Sequence, residues 1–187
     1  GKLDLIIVSD EEANNALFSL DIPLVKETPI VFCGVMRYSK KLDFDQVTGV
    51  ICDIDYAKVF LLGRKLFPEA RKVYVFSDQS GAGQAHEALA RQQLAKYKDR
   101  FPVVFAGDSI LDVNSFLKEL QEVYPLSFVI LTTWQQGENG DYLNPDIYYA
   151  TYANESAVPV FTAFDRGLGK GVFGGYVTTL GQQGTRL

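Results

Sequence analysis

Six short segments place polar, acidic or aromatic residues directly after apolar runs: Ser9-Asp10, Cys33-Gly34, Ser77-Asp78, Gly107-Asp108, Thr132-Thr133-Trp134 and Phe164-Asp165. If the runs are strands of open parallel sheets, these residues stand at the carboxyl ends, where such sheets take ligands. Hydroxyls, carboxylates and aromatic faces are suited to holding a small polar molecule. Trp134, the only tryptophan, sits just before the polar loop QQGENGDYLN. It reads as a ligand-stacking group, against the alternative of an aromatic on a lobe surface. Capping accounts equally well for Asp10, Asp78 and Asp108, because each precedes a helical pattern.

A further cluster follows Phe164-Asp165. Five glycines occupy the nine positions from Gly167 to Gly175, between two apolar runs. Glycine permits positive φ and close backbone approach, so this stretch is expected to carry the chain out of one sheet and into another.

The elements that must position these residues are legible as an alternation. Leu3–Val8, Pro29–Cys33, Val47–Cys52, Val73–Phe76, Val103–Phe105, Phe128–Leu131 and Val158–Phe161 read as strands. Helical patterns run over Glu11–Leu20, from Tyr56 to a stop at Pro68, from Ala82 to Tyr97, from Val113 to Tyr124, and over Pro145–Tyr152. Strands alternating with helices imply βαβ units and a parallel sheet. Several strands are apolar throughout, as expected when helices cover both faces. The polar connection from Gly34 to Gln46 lacks helical periodicity and is expected to cross between two lobes. Lobe I then comprises residues 1–36 and 170–187, and lobe II residues 46–168.

Bulk properties narrow the function. The chain has 187 residues, 47% of them hydrophobic, with a net charge of −5. No basic cluster exists to bind phosphates, which argues against nucleic acid. No apolar run reaches the roughly 18–20 residues that span a bilayer, and no charged leader precedes the first strand. Cys33 and Cys52 lie in or beside apolar strands and read as buried free thiols; their spacing neither demands nor forbids a disulfide. With two cysteines and one histidine, His86, no Cys/His metal site is expected, and no cofactor.

Two motifs resemble those of haloacid-dehalogenase-like phosphotransferases. Val50-Ile51-Cys52-Asp53-Ile54-Asp55 is similar to the family's hhhDxD start, and Gly107-Asp108 through Asp112 to its GDxxxD metal motif. The resemblance implies Asp53 as nucleophile, Asp55 as general acid, and Mg²⁺ held between them. Three features count against it. Only 55 positions separate Asp53 from Asp108. A helix begins directly after Asp55, where the family has a flap. Lys96 and Lys98, the candidates for its phosphate-binding lysine, fall on a solvent-facing helix.

A second resemblance covers nearly the whole chain. The order DLIIVSDEEA, PIVFCGV, VTGVICDID, FPEARKVYVFSDQSGAG, TTWQQGENGDYLNP and VPVFTAFDRGLGKGVFGGYVTT resembles the ABC-transporter-substrate-binding-protein-like sensor domains of bacterial sensor histidine kinases and diguanylate cyclases. That implies an α/β, periplasmic-binding-protein-like fold of two Rossmann-like lobes with parallel sheets, lobe I being incomplete, and a small organic ligand such as an amino acid or organic acid held between them. No catalytic residue is implied. The ligand would meet Ser9, Asp10, Cys33, Gly34, Ser77, Asp78, Thr133, Trp134, Phe164 and Asp165. Helix-start amides after Ser9 and Ser77 would hold a carboxylate, Asp165 or Asp10 an ammonium, and Trp134 or Phe164 would stack. The resemblance also implies a periplasmic or extracellular location, downstream signalling domains in the parent chain, and a homodimer through the exposed part of lobe I. A stand-alone transport binding protein is the alternative.

Overall fold

A computed structural model of the chain describes residues 3–36, 45–107, 112–135 and 142–179, with Gly181, Gly184 and Thr185 and without the side chains at 145 and 146. Asp108, positions 136–141 of the polar loop and most of the connection after Gly34 lie outside the described residues. The protein is α/β and Rossmann-like, with two sheets whose strand pairs are all parallel. Two compact units carry them: Gly1–Ile54 with Thr178–Leu187, and Asp55–Val177.

The first unit holds β1 (Ile6–Ser9), β2 (Ile30–Val35) and β3 (Val47–Ile51), paired in that order. Helix α1 (Glu11–Ser19) starts at Asp10, whose carboxylate accepts the Glu11 amide at 2.5 Å. Helix α2 (Pro23–Glu27) begins on a proline, whose missing N–H is no loss at a first helical position. Alternation turns Ile6, Val8, Ile30, Phe32 and Val47 to one face, where they pack with Leu17, Phe18 and Val25 from these helices. Leu5, Ile7 and Val31 fall on the opposite face, and Ile7 is 68% exposed.

The second unit orders its strands β5-β4-β6-β7, with β4 (Lys72–Ser77), β5 (Val103–Ala106), β6 (Ser127–Thr133) and β7 (Val160–Thr162). Helix α4 (Gly81–Leu94) leads from β4 to β5. Helix α5 (Val113–Glu122) leads back past β4 to β6, and α6 (Pro145–Glu155) leads on to β7. Right-handed connections running in opposite directions place helices on opposite faces. One face packs α5 and α6 through Phe116, Leu120, Tyr149 and Tyr152. The other receives α3 (Tyr56–Leu66) and α4; there a Cβ at Gly63 would stand 2.5 Å from the Phe128 ring. All seven residues of β6 are buried as a result.

Two expectations about the crossings change. Residues 47–51 do not open the second unit; they pair with β2 from Ile30↔Val47 onward, and the division falls at Ile54/Asp55. The glycine-rich stretch is not a crossing either. Within the second unit it turns and lays Val172–Gly174 beside β7, with Phe173 N donating to Val160 O at 2.9 Å and Thr162 N to Gly174 O at 3.0 Å. Positive φ at Gly167, Gly169 and Gly171 makes the turn. A Cβ at Gly175 would stand 1.8 Å from Thr162 O, so only glycine permits this approach.

Candidate functional site

The connections leaving β4 and leaving β6 run to opposite sides of the second sheet, so the carboxyl ends of these two strands frame its topological switch point. Ser77 and Thr132 meet there, Oγ to Oγ1 at 2.5 Å, both buried. Asp78 is 1% exposed. Its amide donates to Thr133 O at 3.1 Å. One carboxylate oxygen accepts the Ser80 amide at 3.1 Å and the Ser80 hydroxyl, and the other accepts the Gln135 amide at 2.6 Å. Ser80 in turn caps α4 by accepting the Gly83 amide at 3.0 Å. A Cβ at Gly83 would stand 2.1 Å from Asp78 O, so the first turn of α4 rests on Asp78.

This geometry narrows the expectation that amides after Ser77 hold a ligand carboxylate. Asp78 and Ser80 already take the Ser80 and Gly83 amides at the helix start, where unpaired N–H groups and the helix dipole favour a negative charge. The switch point is a closed, hydrogen-bonded floor.

Trp134 also departs from its expected role. Its ring is 1% exposed and stacks on Phe116 of α5, with centroids 3.9 Å apart and planes 3° from parallel. The face expected to receive a ligand is committed to the core. Polar capacity nevertheless remains around it. Thr133 Oγ1, Trp134 Nε1 and the Tyr152 hydroxyl are buried without a hydrogen-bond partner. Tyr149, on α6, donates its hydroxyl to Thr132 O at 3.1 Å. Burial pushes the Tyr149 phenol well above the ordinary tyrosine range, while neighbouring Thr133 and Arg166 pull it back in part. Burial raises Tyr152 as well, with Tyr148, Tyr149 and Asp78 adding to the effect.

The accessible side chains of this edge follow β7. Phe164 is half-buried, and its amide donates to Thr162 Oγ1 at 3.2 Å. Asp165 is exposed and Arg166 half-buried. His86 of α4 sets its ring edge-on to Phe164 at 5.4 Å, and its Nδ1 lies 2.7 Å from the Tyr56 hydroxyl of α3. The second sheet therefore gathers Ser77, Asp78, Thr133, Trp134, Phe164 and Asp165 at one end. The first sheet gathers the other four. Asp10 N donates to Cys33 O at 3.0 Å, and a Cβ at Gly34, φ 72°, would come within 3.1 Å of Asp10 N. Ser9 and Asp10 are exposed there, and Cys33 and Gly34 half-buried. Asp10 itself has φ 86°, a conformation that costs a non-glycine residue about 1–3 kcal/mol. Cys33 and Cys52 are free thiols.

Sequence reasoning passed over His86, Tyr56, Tyr149 and Arg166. His86 was weighed only as a metal ligand, and its rarity was the available signal. Arg166 is adjacent to Asp165 but lies inside a glycine-rich stretch read for backbone conformation alone.

The last acid of each motif serves as a cap. Asp55 accepts the Lys58 amide at 2.8 Å and begins α3. Asp112 accepts the Ser115 amide at 3.0 Å and begins α5; that bond and the Ser115 hydroxyl hold its carboxyl below the usual range. Among the described residues no group of three or more acids, histidines or cysteines is placed to hold a metal, and no helix is long and apolar enough to cross a membrane. The sequence matches no family model and no curated protein.

Proposed function

We propose that the chain is a small-molecule-binding sensor domain of the periplasmic-binding-protein kind, displayed outside the cytoplasm by a bacterial signalling receptor, and that it does no chemistry on its ligand. In this reading the first unit is the partial lobe, a view supported by its three-stranded sheet with helices packed on one face. The observation that carries the proposal is the end of the second sheet: a rigid floor pinned by Asp78, with Phe164, Asp165 and Arg166 accessible at the same end. Rigid scaffolding under a few accessible polar and aromatic groups is the arrangement of a recognition site. Binding would act by population shift, favouring the conformation with higher ligand affinity, and signalling domains of the parent chain would read the change. The capping roles of Asp55 and Asp112 weigh against the phosphatase.

The test is a thermal scan of this chain against amino acids, small organic acids and matched neutral and cationic compounds. A ligand at about 100 times its Kd stabilises by about 2.7 kcal/mol, which raises Tm by about 5–10 °C for a chain of this size. The rise should vanish in Phe164→Ala or Asp165→Ala. A panel without any saturable rise, or stabilisation only by Mg²⁺ with a phosphate analogue, refutes the proposal.

A further inference from the structure

Resting on that reading, we propose that Arg166 is the anion anchor of the second sheet's carboxyl end, and that the ligand it takes is a small organic carboxylate. Arg166 is half-buried, yet its guanidinium forms no hydrogen bond or ion pair with any described residue. The other described arginines differ. Arg64 donates to Ala70 O at 2.7 Å and lies over the Phe101 ring, and Arg91 pairs with Glu87 at 2.6 Å. Arg71 and Arg100 are exposed, where water serves them. A guanidinium with five donors, no acceptor and no partner among the described residues is poised for a planar anion, which it can grip with two parallel bonds.

The backbone at the base of the side chain is held in place. Gly167, next in the chain, has φ 74°, and a Cβ there would stand 2.6 Å from Val172 Cγ2 and 3.1 Å from Tyr149 Cβ. The turn bearing Arg166 is therefore packed against α6. The guanidinium is close enough to Tyr149 for its charge to favour the ionised phenol. Thr133 also neighbours Tyr149, and its hydroxyl is buried. An unpaired guanidinium on a packed turn supplies the donors that a carboxylate requires. Asp78 acts on Tyr149 in the opposite sense, its carboxylate held by the Ser80 and Gln135 amides.

Acetate, the bare carboxylate, is the probe, with acetamide as its neutral counterpart. Both are titrated into the ¹⁵N-labelled chain while the amide resonances of Tyr149 and Gly167 are followed. The expected result is a saturable shift with acetate, half-complete at millimolar concentration, and none with acetamide. Arg166→Gln should weaken acetate at least about tenfold, and Arg166→Lys less, since a lysine cannot make the paired grip. Arg100→Gln should leave it unchanged. A shift that does not saturate, one that acetamide reproduces, or one that survives in Arg166→Gln overturns the anchor. If acetate fails while a neutral compound stabilises the chain through Phe164, the anchor falls and the sensor reading stands. If acetate titrates at Arg166 but no compound's stabilisation is lost in Phe164→Ala or Asp165→Ala, the anchor stands and the sensor reading falls.

Discussion

Replacing Asp78 with alanine separates a structural carboxylate from a ligand contact. The side chain accepts two backbone amides, Ser80 at 3.1 Å and Gln135 at 2.6 Å, besides the Ser80 hydroxyl. Hydrogen bonds to a charged group contribute about 1.5–3 kcal/mol each. Ser80 and Gln135 are half-buried, so water restores part of the loss, and the low end of the range applies to each backbone bond. The expected cost of Asp78→Ala is about 3–4 kcal/mol. With a urea dependence of about 2 kcal/mol per M, the midpoint falls by about 1.5–2 M. Trp134 fluorescence reads the transition, since the indole is buried in the same unit. Asp78→Asn keeps an acceptor for one partner but turns N–H toward the other, and should lose about half as much. Asp165→Ala, at an exposed position, should stay within about 0.5 kcal/mol. A loss below about 1 kcal/mol for Asp78→Ala, or an equal loss for Asp165→Ala, would refute the view that Asp78 pins the switch point.

The glycine turn allows a paired comparison. Gly175→Ala forces a methyl to 1.8 Å from Thr162 O and should cost about 2–3 kcal/mol. Gly169→Ala meets nothing within 4 Å but must hold φ 74°, for about 1–2 kcal/mol; urea unfolding that reverses this order contradicts the docking of the turn on β7. Tyr152→Phe removes a buried hydroxyl without a partner and should leave stability unchanged or raise it by up to about 1 kcal/mol; a loss of that size would reveal a partner. Alkaline pH tests the same residues. Burial raises the folded-state pKa of Tyr149 and Tyr152. Their contribution to stability is therefore complete below the unfolded tyrosine pKa near about 10 and is lost as pH climbs above it. Tyr152→Phe should flatten that alkaline decline by one proton, as measured by urea midpoints across pH 9–11.

Periodicity made the alternation of strands and helices legible, because a buried parallel strand and an amphipathic helix leave different spacings. Tyr56, Val59, Phe60 and Gly63 share one face of α3 and are buried together. What periodicity missed was short: α2 has five residues, too few to show a repeat. The strand-end residues of the candidate site were legible through topology, since parallel strands bring their carboxyl ends together. Their orientation was not. Trp134 stands where a ligand contact could stand, and only Phe116, supplied by a helix elsewhere in the chain, turns its ring into the core. The glycines of the 167–175 stretch disclose conformational freedom but not direction, so the return of Val172–Gly174 along β7 was hidden. Arg166 was hidden for a different reason. An arginine becomes informative through the partners it lacks, and partners are a property of the folded chain.

The aliphatic plane formed by Leu5, Ile7 and Val31 affects how this protein must be measured. Reporter dyes that brighten on greasy surfaces will find Ile7 and Leu5 already in contact with water in the native state. A melting curve recorded with such a dye begins from a lit baseline and understates the transition. The lone indole, enclosed beside Phe116, gives a signal free of that background, and it speaks for residues 55–177 alone.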